Sequence, residues 1–334
     1  MARAGQVFFP LDERWGIGAR VYSPERVKQM TWLAGVVPYA QAVQVFERIG
    51  HVTLPITSLW EQTQIAGQAL QTHQLAQQAT VSVERVSLPP AGQDHPEPKG
   101  VSLDGGTLHV RGEGWKEFKV GTVYDLTSAH ETDPETGEEI ELARGVNMAY
   151  RAVVGSVDDF APALWALAVE RAVPQAAEVV VTADGAEWIW NLVADYFPES
   201  VQIVDWYHAT DHVAQAATAL YPTDATMAQR WNHERRHGLY LGQVHDIATP
   251  LVAAGLASHA HYFHTHQRRM QYQEFREQGF PIGSGTVESG IKQFKQRLTG
   301  AGMRWSRPAA ERMLVIRAAV MTDNFDTLWA AALN

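Results

Sequence analysis

Three acidic residues stand in local patterns that suit chemistry. Asp104 lies in Val-Ser-Leu-Asp-Gly-Gly, Asp184 in Val-Val-Val-Thr-Ala-Asp-Gly, and Glu288 in Gly-Ser-Gly-Thr-Val-Glu-Ser-Gly. Each aspartate closes a short apolar run of strand type and precedes glycine, which lets another backbone or a ligand come close. Two converging carboxylates repel unless a cation neutralises them, and hard oxygen ligands select Mg²⁺ or Mn²⁺. With Glu288 as a third acid, the set would suit a centre of two metals roughly 3.5–4 Å apart, which serves phosphoryl transfer. Each acid alone has a plainer reading. Asp-Gly is a common turn pair, Asp184 can cap a helix, and Glu288 can complement a helix dipole from the first turn. Only the joint arrangement favours chemistry.

The elements that must position these acids can be read from periodicity. Ser23-Pro24 has the form of a helix start, and further helices are expected from Tyr39 to Ile49 and from near Pro55. Three short helices suit a helix-turn-helix, although no Lys or Arg falls between Pro55 and Glu84, so packing or dimerisation serves equally well. Ser87 to Gly100 holds four prolines and reads as a linker. Strands are expected over Gly100–Val110, Trp115–Leu126 and Gly145–Val154, with an acidic loop from His130 to Gly145. A helix over Asp158–Val173 follows, then a buried strand at Glu178–Thr182, a helix at Ala186–Tyr196, a strand at Val201–Val204, and a helix from near His208. The order β-β-β-α-β-α-β-α predicts an α/β protein with a ribonuclease-H-like mixed sheet. In that order the first and fourth strands are neighbours, so Asp104 and Asp184 meet at the carboxyl ends of strands, where sites form in open sheets. The expected organisation is an N-terminal helical domain at 1–90, a Pro-rich linker at 91–99, a catalytic core at 100–220, an α-helical insertion at 221–280, and core completion with basic helices at 281–334.

Charge is unevenly spread. The 334 residues carry a formal net charge of −10, which on its own argues against a dedicated nucleic-acid binder. Residues 1–263 hold 17 Lys/Arg against 31 Asp/Glu, whereas residues 264–317 hold 10 against 4. The basic stretch therefore coincides with Glu288. Lys292, Lys295 and Arg297, with Arg304 and Arg307 beyond, are candidate phosphate contacts, or else a solvated helix face. Trp305 is a candidate for base stacking, with core packing as its alternative. Arg269 is a candidate DNA contact in the insertion. His259, His261, His264 and His266 match no standard zinc spacing and read as a surface run. Cysteine is absent, which excludes disulfides, cysteine nucleophiles and thiolate zinc sites. No secretory signal opens the chain and no apolar run approaches a spanning helix, so the expected setting is the cytoplasm.

Taken together these motifs resemble the bacterial DDE insertion-sequence transposases of the ISKra type, relatives of the Mutator-like elements. The stretch that carries most of the resemblance is Pro281-Ile282-Gly283-Ser284-Gly285, Val287-Glu288-Ser289, Lys292, Arg297 and Gly302-Met303-Arg304-Trp305-Ser306. Phe9-Pro10-Leu11-Asp12-Glu13, Pro38-Tyr39-Ala40, Leu103-Asp104-Gly105, Ala183-Asp184-Gly185, Asp205-Trp206-Tyr207-His208, Arg269-Met270 and Tyr272 extend it over nearly the whole chain. The resemblance implies that Asp104, Asp184 and Glu288 are a catalytic, metal-binding triad using Mg²⁺ or Mn²⁺. It implies that Asp205 and His208 form the family's Asp-x-x-His motif, with His208 orienting a phosphate or water; packing around Trp206 and Tyr207 is the alternative. The implied partners are DNA, as terminal inverted repeats and target, and further copies of the chain in a homodimer or larger assembly, with no membrane. The implied setting is the bacterial cytoplasm, at the nucleoid during action. The chain departs from the family in lacking a Cys-rich zinc segment, in reading Gly290-Ile291 after Val-Glu-Ser where a Cys is common, and in its acidic 130–145 segment. A non-catalytic DNA-binding or regulatory derivative, and a metal enzyme acting on something other than DNA, are the competing expectations.

Overall fold

The computed structural model describes residues 22–81, 97–132 and 137–333. The Phe9–Glu13 motif therefore lies outside the described residues, as do residues 91–96 of the expected linker. The chain divides into two compact units. One comprises Met1–Gln77, Leu108–Trp115 and Phe294–Asn334; the other comprises Gln78–Thr107 and Lys116–Gln293.

In the first unit, helices α1 (Pro24–Val36), α2 (Tyr39–Arg48) and α3 (Ile56–Thr80) come early in the chain. α1 begins as its sequence dictates: Ser23 accepts a hydrogen bond from the Arg26 N–H at 3.2 Å, with proline in the first turn. Met30, Ala42, Phe46, Leu54 and Leu59 form the core among these helices. The late helices α12 (Arg307–Met321) and α13 (Phe325–Leu333) also belong to this unit. α12 is almost entirely buried from Met313 to Ala319. It runs against α1 at Gly35, where an added Cβ would stand 2.8 Å from Ile316 Cγ2 and 3.0 Å from Val320 Cγ2.

The second unit is built on a five-stranded mixed sheet. Its strands are β1 (Lys99–Val110), β2 (Gly114–Thr132), β3 (Glu139–Val154), β4 (Val179–Ala183) and β5 (Val201–Val204), in the order β3-β2-β1-β4-β5. β2 and β3 pair antiparallel from Phe118↔Val154 out to Thr132↔Glu139. The ladder corrects the loop expected at 130–145: residues 130–132 belong to β2 and residues 139–145 to β3, while 133–136 lie outside the described set. Acidic composition misled the sequence reading. His130, Thr132, Glu139 and Glu141 are polar and exposed, yet backbone pairing does not require an apolar face. Lys99, expected in the linker, already pairs with Val179. β1 and β4 are parallel, as are β4 and β5, so Leu103, Ala183 and Val204 lie side by side.

Helices cover the sheet. α4 (Val157–Glu170) starts in a capping box between Ser156 and Asp159 and buries Phe160, Leu164, Leu167 and Ala168. α5 (Glu187–Tyr196) follows β4, and α6 (Trp206–Leu220) follows β5. Four more helices, α7 (Ala225–Tyr240), α8 (His245–Ala253), α9 (Ala257–His266) and α10 (Tyr272–Glu277), precede α11 (Gly285–Leu298). Residues of α7 to α10, among them Trp231, Leu251, Phe263 and Tyr272, share one hydrophobic core with Val181, Ile203 and the other strand residues. Tyr272 donates its hydroxyl to the Val204 carbonyl at 3.0 Å, and its ring meets Trp206 edge-on at 4.9 Å. Among the described residues no helix is long and apolar enough to cross a membrane.

Gly35 sets a testable limit on the first unit. In a helix Gly→Ala gains up to about 1 kcal/mol of propensity. Forcing a methyl into the Ile316–Val320 contact costs about 1–3 kcal/mol. Gly35→Ala is therefore expected to lower Tm by a few degrees, measurable by calorimetry; an unchanged or raised Tm would show that α12 yields freely.

Candidate functional site

The parallel register builds the site. Asp104, Asp184 and Asp205 each follow one member of the aligned trio Leu103, Ala183 and Val204. Parallel neighbours lie about 4.8 Å apart, so the three aspartates stand at one level across the sheet: Asp184 and Asp205 just past the carboxyl ends of β4 and β5, and Asp104 inside β1, which runs on to Val110 rather than ending there as the sequence suggested. The first and fourth strands are neighbours, as the sequence order suggested, and the register sets Asp104 and Asp184 at the same level on them. Both are half-buried. Asp184 also folds back on its own turn, accepting from the Ala186 N–H at 2.9 Å, while its carbonyl accepts from Trp190 Nε1 at 3.0 Å. Asp104 Oδ1 accepts from the Gly105 N–H at 2.6 Å.

Asp205 has a different task. It is fully buried and caps α6, with Oδ1 accepting from the His208 N–H at 2.8 Å. Its Oδ2 accepts from the Ser284 N–H, and the neighbouring Trp206 N–H donates to the Ile282 carbonyl at 2.8 Å. One carboxylate thus ties the loop before α11 to the start of α6. The tie brings Glu288, in the first turn of α11, beside His208: His208 Nε2 lies 3.9 Å from Glu288 Oε1. Lys292, one turn on, holds Nζ 3.6 Å from Glu288 Oε2. Asp205, His208 and Glu288 each offer a ligand atom within 4.8 Å of the others, and among the described residues they are the group of three with that property. Asp104 and Asp184 stand outside this group.

Two side chains bridge the aspartates and the Asp205–His208–Glu288 group. Tyr262 of α9 lies over Gly185; a Cβ there would stand 2.2 Å from its Cε2. The glycine after Asp184 thus admits a protein ring. Burial pushes the Tyr262 hydroxyl pKa up, and the charges of Asp184 and Asp205 push it further. That hydroxyl is buried without a hydrogen-bond partner among the described residues. His212 stacks on the Tyr262 ring at 3.7 Å. Its pKa is lowered by burial, then by His208 and His259, against the pull of Asp211 and Asp184.

Behind this layer, His266 corrects the expectation of a surface histidine run. His261 and His264 are exposed, but His266 is only 4% exposed. Its Nε2 lies 3.1 Å from the Gly185 carbonyl and its Nδ1 3.3 Å from Arg269 Nη1. A carbonyl on one side and a guanidinium on the other fix a neutral ring with the proton on Nε2. Burial and Arg269 hold its pKa down to about 4. The strict alternation of histidines obscured a helical face on which His259, Tyr262 and His266 fall three to four residues apart. His212 had a comparable signal, four residues after His208 on α6.

The expected basic residues divide by environment. Arg269 is engaged internally: Nε donates to Gln202 Oε1 at 2.8 Å and Cζ lies 4.4 Å from the Trp190 ring centroid. Lys292, Lys295 and Arg304 are exposed. Arg297 and Trp305 are buried, at 2% and 7% exposure, so neither presents the open surface the sequence suggested. Amphipathic spacing placed Arg297 on a face that packs instead. Arg307 makes a two-pronged ion pair with Glu113.

No known family model matches the chain, and no curated protein does. Among solved structures the chain is similar to the Drosophila P element transposase strand transfer complex, at 9% identity and a TM-score of 0.30 over 96% of this chain and 84% of that one. At that level of likeness the site has to be read from its own residues.

Asp205→Ala removes two charge-assisted acceptors at once and is expected to cost about 2–4 kcal/mol, read as a shifted denaturant midpoint. A shift under about 0.5 kcal/mol would contradict the tie. His266 makes a pH prediction. Its folded pKa near 4 lies below the unfolded value of about 6.5. The unfolded chain therefore binds the proton first as pH falls, and stability present above about pH 6.5 is lost toward pH 4, by up to about 3 kcal/mol. His266→Gln keeps a donor for Gly185 and should flatten the wild-type slope between pH 7 and pH 4.5.

Proposed function

We propose that the chain is a DDE-type transposase of the ISKra kind, catalysing metal-dependent DNA cleavage and strand transfer of an insertion sequence. The observation that carries the reading is the parallel register of β1 and β4, which sets Asp104, within β1, beside Asp184, just past the end of β4. The order β3-β2-β1-β4-β5, with β4 and β5 parallel to β1, supports a ribonuclease-H-like core. In this reading residues 1–90 are an N-terminal helical domain, 100–220 supply the core and 221–280 are a helical insertion; of the 281–334 stretch expected to complete the core, residues 281–293 belong to the sheet unit and Phe294–Asn334 to the first unit.

The residues fit a hard divalent cation. Carboxylate oxygens are the donors such an ion prefers; the group whose ligand atoms lie within 4.8 Å of one another is Asp205, His208 and Glu288, which adds an imidazole nitrogen and shares only Glu288 with the proposed triad. Asp104, Asp184 and Glu288 would hold Mg²⁺ or Mn²⁺, which when bound activates a water or 3′-hydroxyl and stabilises a leaving oxygen. The remaining residues position and shield. Asp205 fixes the loop from which α11 starts, and so the direction of Glu288. His208, 43% exposed at its side chain and next to Glu288, can donate to a phosphate oxygen or hold a proton for it. Tyr262 walls off Asp184 and Asp205 and keeps water from the back of the site. Lys292 and Lys295 offer cations to a DNA backbone. The substrates are terminal inverted repeats and target DNA, bound by a homodimer or larger assembly in the bacterial cytoplasm at the nucleoid.

The test is nicking of a duplex taken from the DNA flanking the coding sequence, in Mg²⁺ or Mn²⁺ and in EDTA. Asp104→Asn, Asp184→Asn and Glu288→Gln are each expected to lower nicking and strand transfer at least 10²-fold, roughly the scale on which single electrostatic groups act. Activity that survives Asp184→Asn, or that is indifferent to EDTA, sinks the proposal.

A further inference from the structure

Within the first unit lies a cavity of about 310 Å³ whose walls include Tyr39, Trp60, Arg111, Arg297, Arg304 and Ser306. Among the described residues three arginines and no acid line it. Arg297 is the unusual member. It is 2% exposed, and its Nε donates to the Ala34 carbonyl at 2.6 Å. Its guanidinium lies 5.1 Å from the Tyr39 ring centroid and 5.3 Å from that of Trp305. Its Nη2 is buried with no hydrogen-bond partner among the described residues. Arg317, also buried, donates to the adjacent Gly35 carbonyl at 3.1 Å and leaves its Nε without a partner. Burial, and then the charge of Arg317 against that of Tyr39, holds the Arg297 pKa down to about 10.

Capping the last carbonyls of α1 accounts for one donor on each arginine. It does not account for two neighbouring buried cations that make no ion pair with an acid among the described residues, nor for the idle Nη2. Buried charge is expensive unless an anion meets it. The planar guanidinium matches phosphate geometry. Two further features face the same space. Ser306 begins α12 without a side-chain cap, leaving first-turn N–H groups of a fifteen-residue helix for an anionic oxygen. Arg111 and Arg304 are exposed, and the Arg111 Nε donates to the Arg304 carbonyl at 3.2 Å. Trp60 is 45% exposed and presents an open ring beside them.

We infer that this cavity binds a nucleotide of single-stranded DNA, its phosphate held by Arg297, Arg111 and Arg304 and its unpaired base stacked on Trp60. The inference rests on the DNA reading above but not on the triad's catalysis. The test is fluorescence anisotropy of the full chain in EDTA with a labelled single-stranded 12-mer, the matching duplex, and competition by inorganic phosphate and dAMP. Arg111 and Arg304 are exposed, so the double variant Arg111→Ala/Arg304→Ala should keep its fold, checked by circular dichroism. It is expected to weaken single-strand binding at least tenfold. Trp60→Ala should weaken it by roughly 5- to 100-fold, and Trp60→Phe should restore most of it. Competition by dAMP should exceed that by phosphate. Wild-type affinity in both alanine variants, no single-strand binding at all, or equal competition by phosphate and dAMP overturns the inference. Triad-dependent nicking alongside unaffected strand binding would remove the cavity proposal alone. Lost strand binding without any metal-dependent nicking would remove the catalytic reading and leave the cavity.

Discussion

One alignment of backbone governs the second unit: Leu103, Ala183 and Val204 lie abreast on three parallel strands. Because a strand's side chains alternate with a period of two, a slip of one residue in either pairing would turn an aspartate to the opposite face. The alignment therefore holds only while the flanking β-branched runs stay buried. Val101 and Leu103 on β1, Val180 and Val181 on β4, and Ile203 on β5 are all fully buried. Hydrophobic burial thus fixes the relation between charged groups that could not hold one another, since like charges repel at strand spacing.

From that line of acids the chain uses two different devices to bring in Glu288. Asp205 gives up both oxygens to backbone N–H groups and acts as a buckle between distant segments. Glu288 stays partly exposed and flanked by His208 and Lys292. Two carboxylates a few ångströms apart thus have opposite duties, set by how many N–H groups each meets. A carboxylate saturated by backbone donors orders structure; one left with free lone pairs has capacity for a ligand.

Much of this was legible in sequence because it is local. The apolar run closed by Asp184-Gly185 marks the end of β4, although the similar run before Asp104-Gly105 does not end β1, and Ser-Pro marks a helix start. The strand order follows from hairpin connections early in the sheet and helical crossovers later. What sequence concealed was non-local or two-sided. The 130–145 segment is rich in acids, so composition resembled a loop while backbone pairing made most of it strand. His266 and Tyr262 look like members of an exposed histidine tract until α9 is set against Gly185. Arg297 carries a charge and sits in a basic tract, yet aromatic rings and helix-end carbonyls enclose it. Charge predicts exposure only where no such enclosure forms.

The packing of Tyr262 over Gly185 has a bearing on how the protein could be pared down. Helices α7 to α10 read as an addition to a smaller sheet protein, and a designer seeking a minimal form would excise them first. That excision would strip the Tyr262 ring from Gly185, unstack His212, and leave the Val204 carbonyl without the Tyr272 hydroxyl. What connectivity presents as an appendage is, in packing terms, the lid of the acid row, and the two halves of the sheet unit have to be inherited together.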